Sequence, residues 1–125
     1  MIYKNILEQT LNNSNFREVV LTNNHSQLVM MSLLPGEEIG LETHHDIDQI
    51  LYFVSGQGKA IIAGEEGGFS MGDVVNVPAG AEHNVINTGQ EAVKLLTVYS
   101  PPEHPDGTVH KTKAEADQAE AEHHH

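Results

Sequence analysis

Cysteine is absent from this chain. Its absence removes disulfides, thiolate metal ligands and a cysteine nucleophile together, so any metal site must be built from imidazole and oxygen donors. Basic residues are scarce: six lysines and arginines stand against 18 aspartates and glutamates, a formal net charge of −12 with histidines neutral. Lys4, Arg17, Lys59, Lys94, Lys111 and Lys113 are scattered and form no stripe that could displace counterions from a phosphate backbone, which argues against nucleic acid as a partner. Long apolar runs are missing too. Nothing approaches the roughly 20 apolar residues that span a bilayer, and Met1 leads into mixed polar sequence with no apolar signal segment. No membrane partner is expected, and a cytoplasmic location is the default. The 125 residues supply one hydrophobic core and not two.

What the chain does have is a series of short β-type segments separated by turn residues. Residues 18–21, 27–33, 39–44, 49–54, 59–63, 74–77, 83–86 and 93–99 read as strands. Between them stand Asn23-Asn24, Pro35-Gly36, Gly56-Gln57-Gly58, the stretch 64–68, Pro78-Ala79-Gly80 and Thr88-Gly89, which suit positive φ or a φ fixed near −65°. Punctuation this frequent predicts an all-β antiparallel sandwich or barrel rather than alternating strands and helices. Residues 2–11 form at most a short helix or an arm.

Two segments concentrate the chemistry. In the first, Glu42 and His44 are two apart, so on an extended strand they leave the same face and can close on one point. In the second, His83 follows the turn Pro78-Ala79-Gly80 and opens a new strand. Two imidazoles and a carboxylate from distant parts of the chain form a donor set suited to a divalent transition metal. The spacing is specific: Gly36, five residues, Glu42, one, His44, four, Gln49, six, Gly56; then Gly72, five, Pro78, one, Gly80, two, His83, three, Asn87.

This spacing is similar to both signature motifs of the cupin superfamily, the first of which normally reads His, His, Glu where this chain has Glu42, His44 and Gln49. The resemblance covers roughly residues 34–99. It implies a small jelly-roll barrel, the double-stranded β-helix, with a mononuclear divalent metal in its mouth and Glu42, His44, Gln49 and His83 at the ligand positions. The single carboxylate has moved from the third motif position to the first. Gln49 can coordinate through its amide oxygen, more weakly than a carboxylate, or it can serve a bound water by a hydrogen bond. If Gln49 is weak, the two-histidine, one-carboxylate triad remains. Imidazole and carboxylate donors suit iron, manganese, zinc, nickel, cobalt and copper.

The family's activities include dioxygenases, isomerases, epimerases, decarboxylases and lyases. The resemblance therefore implies a metal-dependent enzyme acting on a small molecule, with a non-catalytic small-ligand-binding or sensory module as the alternative. The lack of a basic cluster near the motifs argues against sugar phosphates, and Arg17 is the only arginine.

Alternation from Gln49 places Leu51 and Phe53 inside and Ile50, Tyr52 and Val54 on the other face. Tyr52, His104 and His110 are the candidate catalytic groups for proton handling. Residues 100–107, with three prolines, cannot continue a helix or a central strand and read as a shaped loop whose His104 and Asp106, with His110 beyond, can fold over a barrel mouth. Residues 111–122 read as a short helix or frayed tail without chemistry. His45 and His25 are expected on the surface. The apolar run 28–34 lacks the alternation of a strand with one wet face, and together with the resemblance it points to a homodimer. The chain divides into an arm and first strand (1–26), a barrel (27–100), the Pro-rich loop and tail (101–122), and residues 123–125, which read as the start of a purification tag.

Overall fold

The computed structural model describes residues 1–123, so the expected tag residues lie outside it apart from the backbone of His123. Among the described residues the order is α1 (Ile6–Asn12), β1 (Arg17–Thr22), β2 (Gln27–Leu33), β3 (Asp48–Ser55), β4 (Gln57–Ile62), β5 (Glu65–Ser70), β6 (Val74–Val77), β7 (His83–Asn87), β8 (Val93–Ser100), β9 (Val109–His110) and α2 (Lys113–His123). The strands form a six-stranded sheet, β6-β3-β8-β2-β1-β9, and a three-stranded sheet, β5-β4-β7, and the paired strands run antiparallel. This is the expected all-β jelly roll.

Inward-facing residues of both sheets meet in one core. Val29, Met31, Leu33, Leu51, Phe53, Val93 and Leu95 of the large sheet are buried against Ala60, Phe69 and Val85 of the small one. Phe53 and Phe69 stack with centroids 3.7 Å apart and so tie one sheet to the other. Each fully buried side chain of this size contributes about 1.5–3 kcal/mol.

Two expectations are corrected. The segment 39–44 is not a regular strand: its backbone pairs with β7 through isolated bridges at Glu38–Ile86 and Glu42–His83. The reason is local. Gly40 sits at φ 111°, and its N–H donates to the Asn84 side chain instead of a ladder carbonyl. The stretch 64–68, expected as a turn, is mostly β5. Ala63 and Gly64, at φ 50° and 83°, make the whole reversal and join Ile62 to Glu65. Positive φ at both central positions is the geometry that matches strand twist in a two-residue hairpin.

The burial of β2 on both faces from Val29 to Leu33 has a cause within the chain. Val29, Met31 and Leu33 point into the core, while Met30 and Ser32 on the outer face are covered as well. The residues following α1 lie against that outer face, where the Lys94 Nζ donates to the Asn13 carbonyl and the Ser32 hydroxyl. Within the run 28–34, Leu28 is half-buried and Leu34 stays exposed. No helix among the described residues is long and apolar enough to cross a membrane.

Candidate metal centre

The two sequence motifs are bound to each other by backbone hydrogen bonds. Glu42 and His83 exchange both N–H···O bonds at 2.9 Å, placing Glu42 beside the start of β7. The Gly80 N–H donates to the His44 carbonyl at 2.8 Å, and the Ala79 N–H donates to the Asp48 carboxylate at 2.9 Å. Gly80, at φ 88°, turns its amide toward the first motif in a conformation that a residue with a Cβ rarely adopts. The Pro78-Ala79-Gly80 turn thus brings His83 to Glu42 and His44.

Glu42, His44 and His83 each offer one donor atom, and these lie within 4.8 Å of one another. Donors bound to one ion at about 2.1 Å stand about 3 to 4.2 Å apart, a range that these separations approach. The His83 Nδ1 lies 3.0 Å from the Ala81 carbonyl, which can only accept, so this nitrogen carries the proton and Nε2 keeps its lone pair. The His44 Nε2 approaches Glu42 Oε2 at 3.0 Å, off the line of a proper hydrogen bond, while its Nδ1 faces Glu103 Oε2 at 3.6 Å.

Gln49 arrives from the opposite sheet. It is 2% exposed, and its Nε2 donates to Thr97 Oγ1 at 3.0 Å. That bond fixes the amide and leaves Oε1 buried without a hydrogen-bond partner. A buried acceptor without a donor is costly unless a cation or an ordered water meets it. The residues present therefore fit a divalent ion: two neutral imidazole nitrogens, one carboxylate and one amide oxygen.

The charges around the cluster are strongly coupled. Burial acts to raise the Glu42 carboxyl, but the contact with His44 and the charge of Arg17 hold it below its ordinary value. The Glu42 carboxylate raises His44 against the opposing effect of burial. Burial pushes Glu103 up, with the Glu42 charge adding to it and His44 opposing. Tyr99 is buried, and burial drives its hydroxyl far above the usual phenol range. Its ring meets His44 edge-on at 6.1 Å and His104 at 5.2 Å.

Glu42 opens onto a cavity of about 520 Å³ whose walls include Arg17, Glu103, His104, Thr108, His110 and, from α2, Ala116 and Ala119. Gln27 is fully buried and holds the loop that forms the rim. Its Oε1 accepts from the N–H groups of Glu103 and His104, and its Nε2 donates to the His104 carbonyl at 2.7 Å.

Of the sequence-predicted residues, Glu42, His44 and His83 come together, Gln49 is buried in the same interior, and His104 and His110 line the adjoining cavity. Tyr52 does not join them. It is 40% exposed on the outer face of β3, because alternation from buried Gln49 and Leu51 turns it away, and Tyr99 is the tyrosine beside the cluster. Asp106 lines a separate surface hollow with Met1 and Tyr3. His25 and His45 are exposed as expected. Arg17, Tyr99 and Glu103 were not singled out by pattern. Only Arg17 carries a compositional signal, as the sole arginine of an acidic chain. The segment expected as a short helix or frayed tail without chemistry is a helix, α2, which buries Ala116 in the core and walls the cavity.

Comparison with known proteins agrees with this fold. A cupin-domain family model matches residues 29–99. The uncharacterized protein YrkC of Bacillus subtilis is 43% identical over 122 residues, which is 93% of this chain and 66% of YrkC. The chain thus spans about two thirds of that relative's length. The crystal structure of BH2720 from Bacillus halodurans superposes with a TM-score of 0.92 at 38% identity, covering 94% of this chain and 93% of that one. A predicted oxalate decarboxylase from Thermotoga maritima superposes with a TM-score of 0.61 at 29% identity, over 64% of this chain and 70% of its own.

Proposed function

Because the chain belongs to the cupin superfamily, we propose that it is a metal-dependent enzyme acting on a small oxygenated molecule. The reaction is of the dioxygenase, isomerase or lyase type, and the lyase type is favoured by the similarity to the predicted oxalate decarboxylase. A single divalent transition metal would be held by Glu42, His44 and His83, with the Gln49 amide oxygen as a weaker fourth donor. The observation that carries this reading is the convergence of three donor atoms within 4.8 Å of one another; the buried Gln49 oxygen without a hydrogen-bond partner supports it. Bound there, a divalent ion supplies Lewis acidity toward a coordinated oxygen, or a centre for oxygen activation.

The chain's own groups divide the remaining work. Ala81 fixes the His83 tautomer, and Glu103 faces His44 Nδ1, so both imidazoles are oriented from behind. Apolar neighbours such as Leu51 and Val85 keep bulk water from the inner side. His104, on the rim, is positioned to take or return a proton at a substrate in the cavity. The His110 Nδ1 is already engaged by Arg17, which makes it a positioning group. A homodimer is part of the same proposal, supported by the exposed Ile50, Tyr52 and Val74 on β3 and the edge strand β6. Light scattering during size exclusion tests it.

The test of the metal reading is elemental analysis of protein purified without nickel, beside its His83→Ala variant. Near-stoichiometric metal in the parent and its loss in the variant is the expected result. Metal absent from both, and not taken up on reconstitution, would overturn the reading.

A further inference from the structure

α2 walls the cavity with little apolar surface to hold it there. Its start is well fixed. The Glu115 N–H donates to the Thr112 hydroxyl at 3.1 Å, and the Glu115 carboxylate accepts from the N–H groups of Lys111 and Thr112, a reciprocal cap. Lys113 pairs with Asp117 one turn on and lies 5.8 Å over the Phe16 ring. Past this anchor the helix has few holds: among its described residues only Ala116 is buried, and it has no apolar side chain larger than alanine. A helix of 11 residues is marginal in water by itself, so α2 depends on docking.

Helical spacing puts Ala116, Ala119 and Glu120 on one face, and that face, with Glu122, walls the space of about 520 Å³ onto which Glu42 and Glu103 also open. Docking therefore brings carboxylates to carboxylates. Beside the effect of burial, the charges of Glu42 and Glu120 both act on Glu103, and the Glu120 charge also reaches His44. Arg17 is already shared among Glu42, Glu103 and the buried Tyr99 hydroxyl. One guanidinium thus stands against four carboxylates of the wall, and their repulsion opposes the docking of α2. His44 can add one positive charge as an imidazolium, but as a ligand it is neutral and a divalent ion brings two. Loading the site therefore makes this wall more positive. Independently of these charges, the three converging donors and the buried Gln49 oxygen without a partner point to a cation beside the cavity. We propose that α2 is a lid coupled to the metal: a bound divalent ion draws Glu120 and Glu122 inward, and the helix closes over the cavity. This rests on the metal reading above. Without the ion the repulsion stands and the lid opens, so only a loaded site is sealed from water. By reciprocity, the docked helix tightens the hold on the ion by the same factor.

The experiment follows hydrogen–deuterium exchange of residues 113–122 by mass spectrometry in the full chain, with and without cobalt(II), whose visible absorption reports uptake. Exchange in this segment is expected to slow about tenfold or more when the parent takes up cobalt. In the double variant Glu120→Gln, Glu122→Gln, which keeps the helix propensity, cobalt is still taken up and most of that slowing disappears. His83→Ala lacks a ligand but keeps the C-terminal histidines, and it should show no slowing. Equal exchange with and without cobalt in a parent that has bound it would overturn the lid. So would a full response in the double variant, or a response in His83→Ala equal to the parent's, which would put the acting ion on the C-terminal histidines. Failure of the parent to take up cobalt, read from the absorption, would overturn the metal reading and the coupling with it. Uptake without any change in exchange would overturn the coupling alone.

Discussion

Single side chains decide what this site can bind, and Gln49 is the most informative. Its Nε2 is committed to Thr97, so its Oε1 is fixed where it is, and no rotamer can rescue it without breaking that bond. An amide oxygen is nonetheless a weaker ligand than a carboxylate or imidazole. Gln49→Ala is therefore expected to weaken metal retention less than Glu42→Ala, His44→Ala or His83→Ala, as read by metal content after dialysis against a chelator. Equal retention in all four variants would contradict the ligand assignment. His110 gives a pH prediction. Burial, reinforced by the Arg17 charge, lowers its pKa from the ordinary 6.5. Because the folded value lies below the unfolded one, the neutral imidazole stabilises the fold above 6.5, and that contribution is lost as pH falls through the folded value. Denaturation midpoints measured across this window should fall less steeply with acidity in His110→Gln than in the parent. The candidate ligand set was legible in sequence because Glu42 and His44 are near neighbours and His83 follows a recognisable turn. Tyr99 could not be placed beside the cluster until the pairing of β3 with β8 set it opposite Gln49.

At the level of elements, the loop after β8 owes its shape to one residue far away in sequence. Gln27 receives two backbone N–H groups and donates to one carbonyl of residues 103–104, a junction of three hydrogen bonds on a fully buried amide. Gln27→Leu leaves those backbone groups without partners and is expected to lower stability by about 1–3 kcal/mol. It should also raise amide exchange in residues 101–108 while leaving metal content near that of the parent. A loss of metal comparable to that in His83→Ala would show that the loop belongs to the ligand set itself. Local pattern located most strands, since alternation and turn residues act over a few positions. It misjudged 39–44 and 64–68, where Asn84 captures the Gly40 amide and where two glycines lie within an edge strand rather than in a turn.

Across the whole molecule, the cavity depends on the C-terminal segment packing back onto the barrel. Ala116 is 4% exposed and joins the core cluster, and α2 otherwise presents mostly polar side chains. Ala116→Lys would force a charge into that contact and is expected to detach α2. The consequence to measure is faster removal of bound metal by a chelator, with metal content before the challenge unchanged. Removal rates equal to those of the parent would mean that α2 does not limit access.

The sequence alone determined the all-β class, the spacing of the two motifs and the residues offered to a metal, because strand alternation, turn geometry and donor chemistry are local properties of the chain. Tertiary structure decided which groups join them. Arg17 and His110 meet because β1 and β9 share a sheet edge, Gln49 is set opposite Tyr99 by the pairing of β3 with β8, and α2 closes the wall through Ala116. Such neighbours are set by the burial of a common core between residues far apart in sequence, and no short-range periodicity records them.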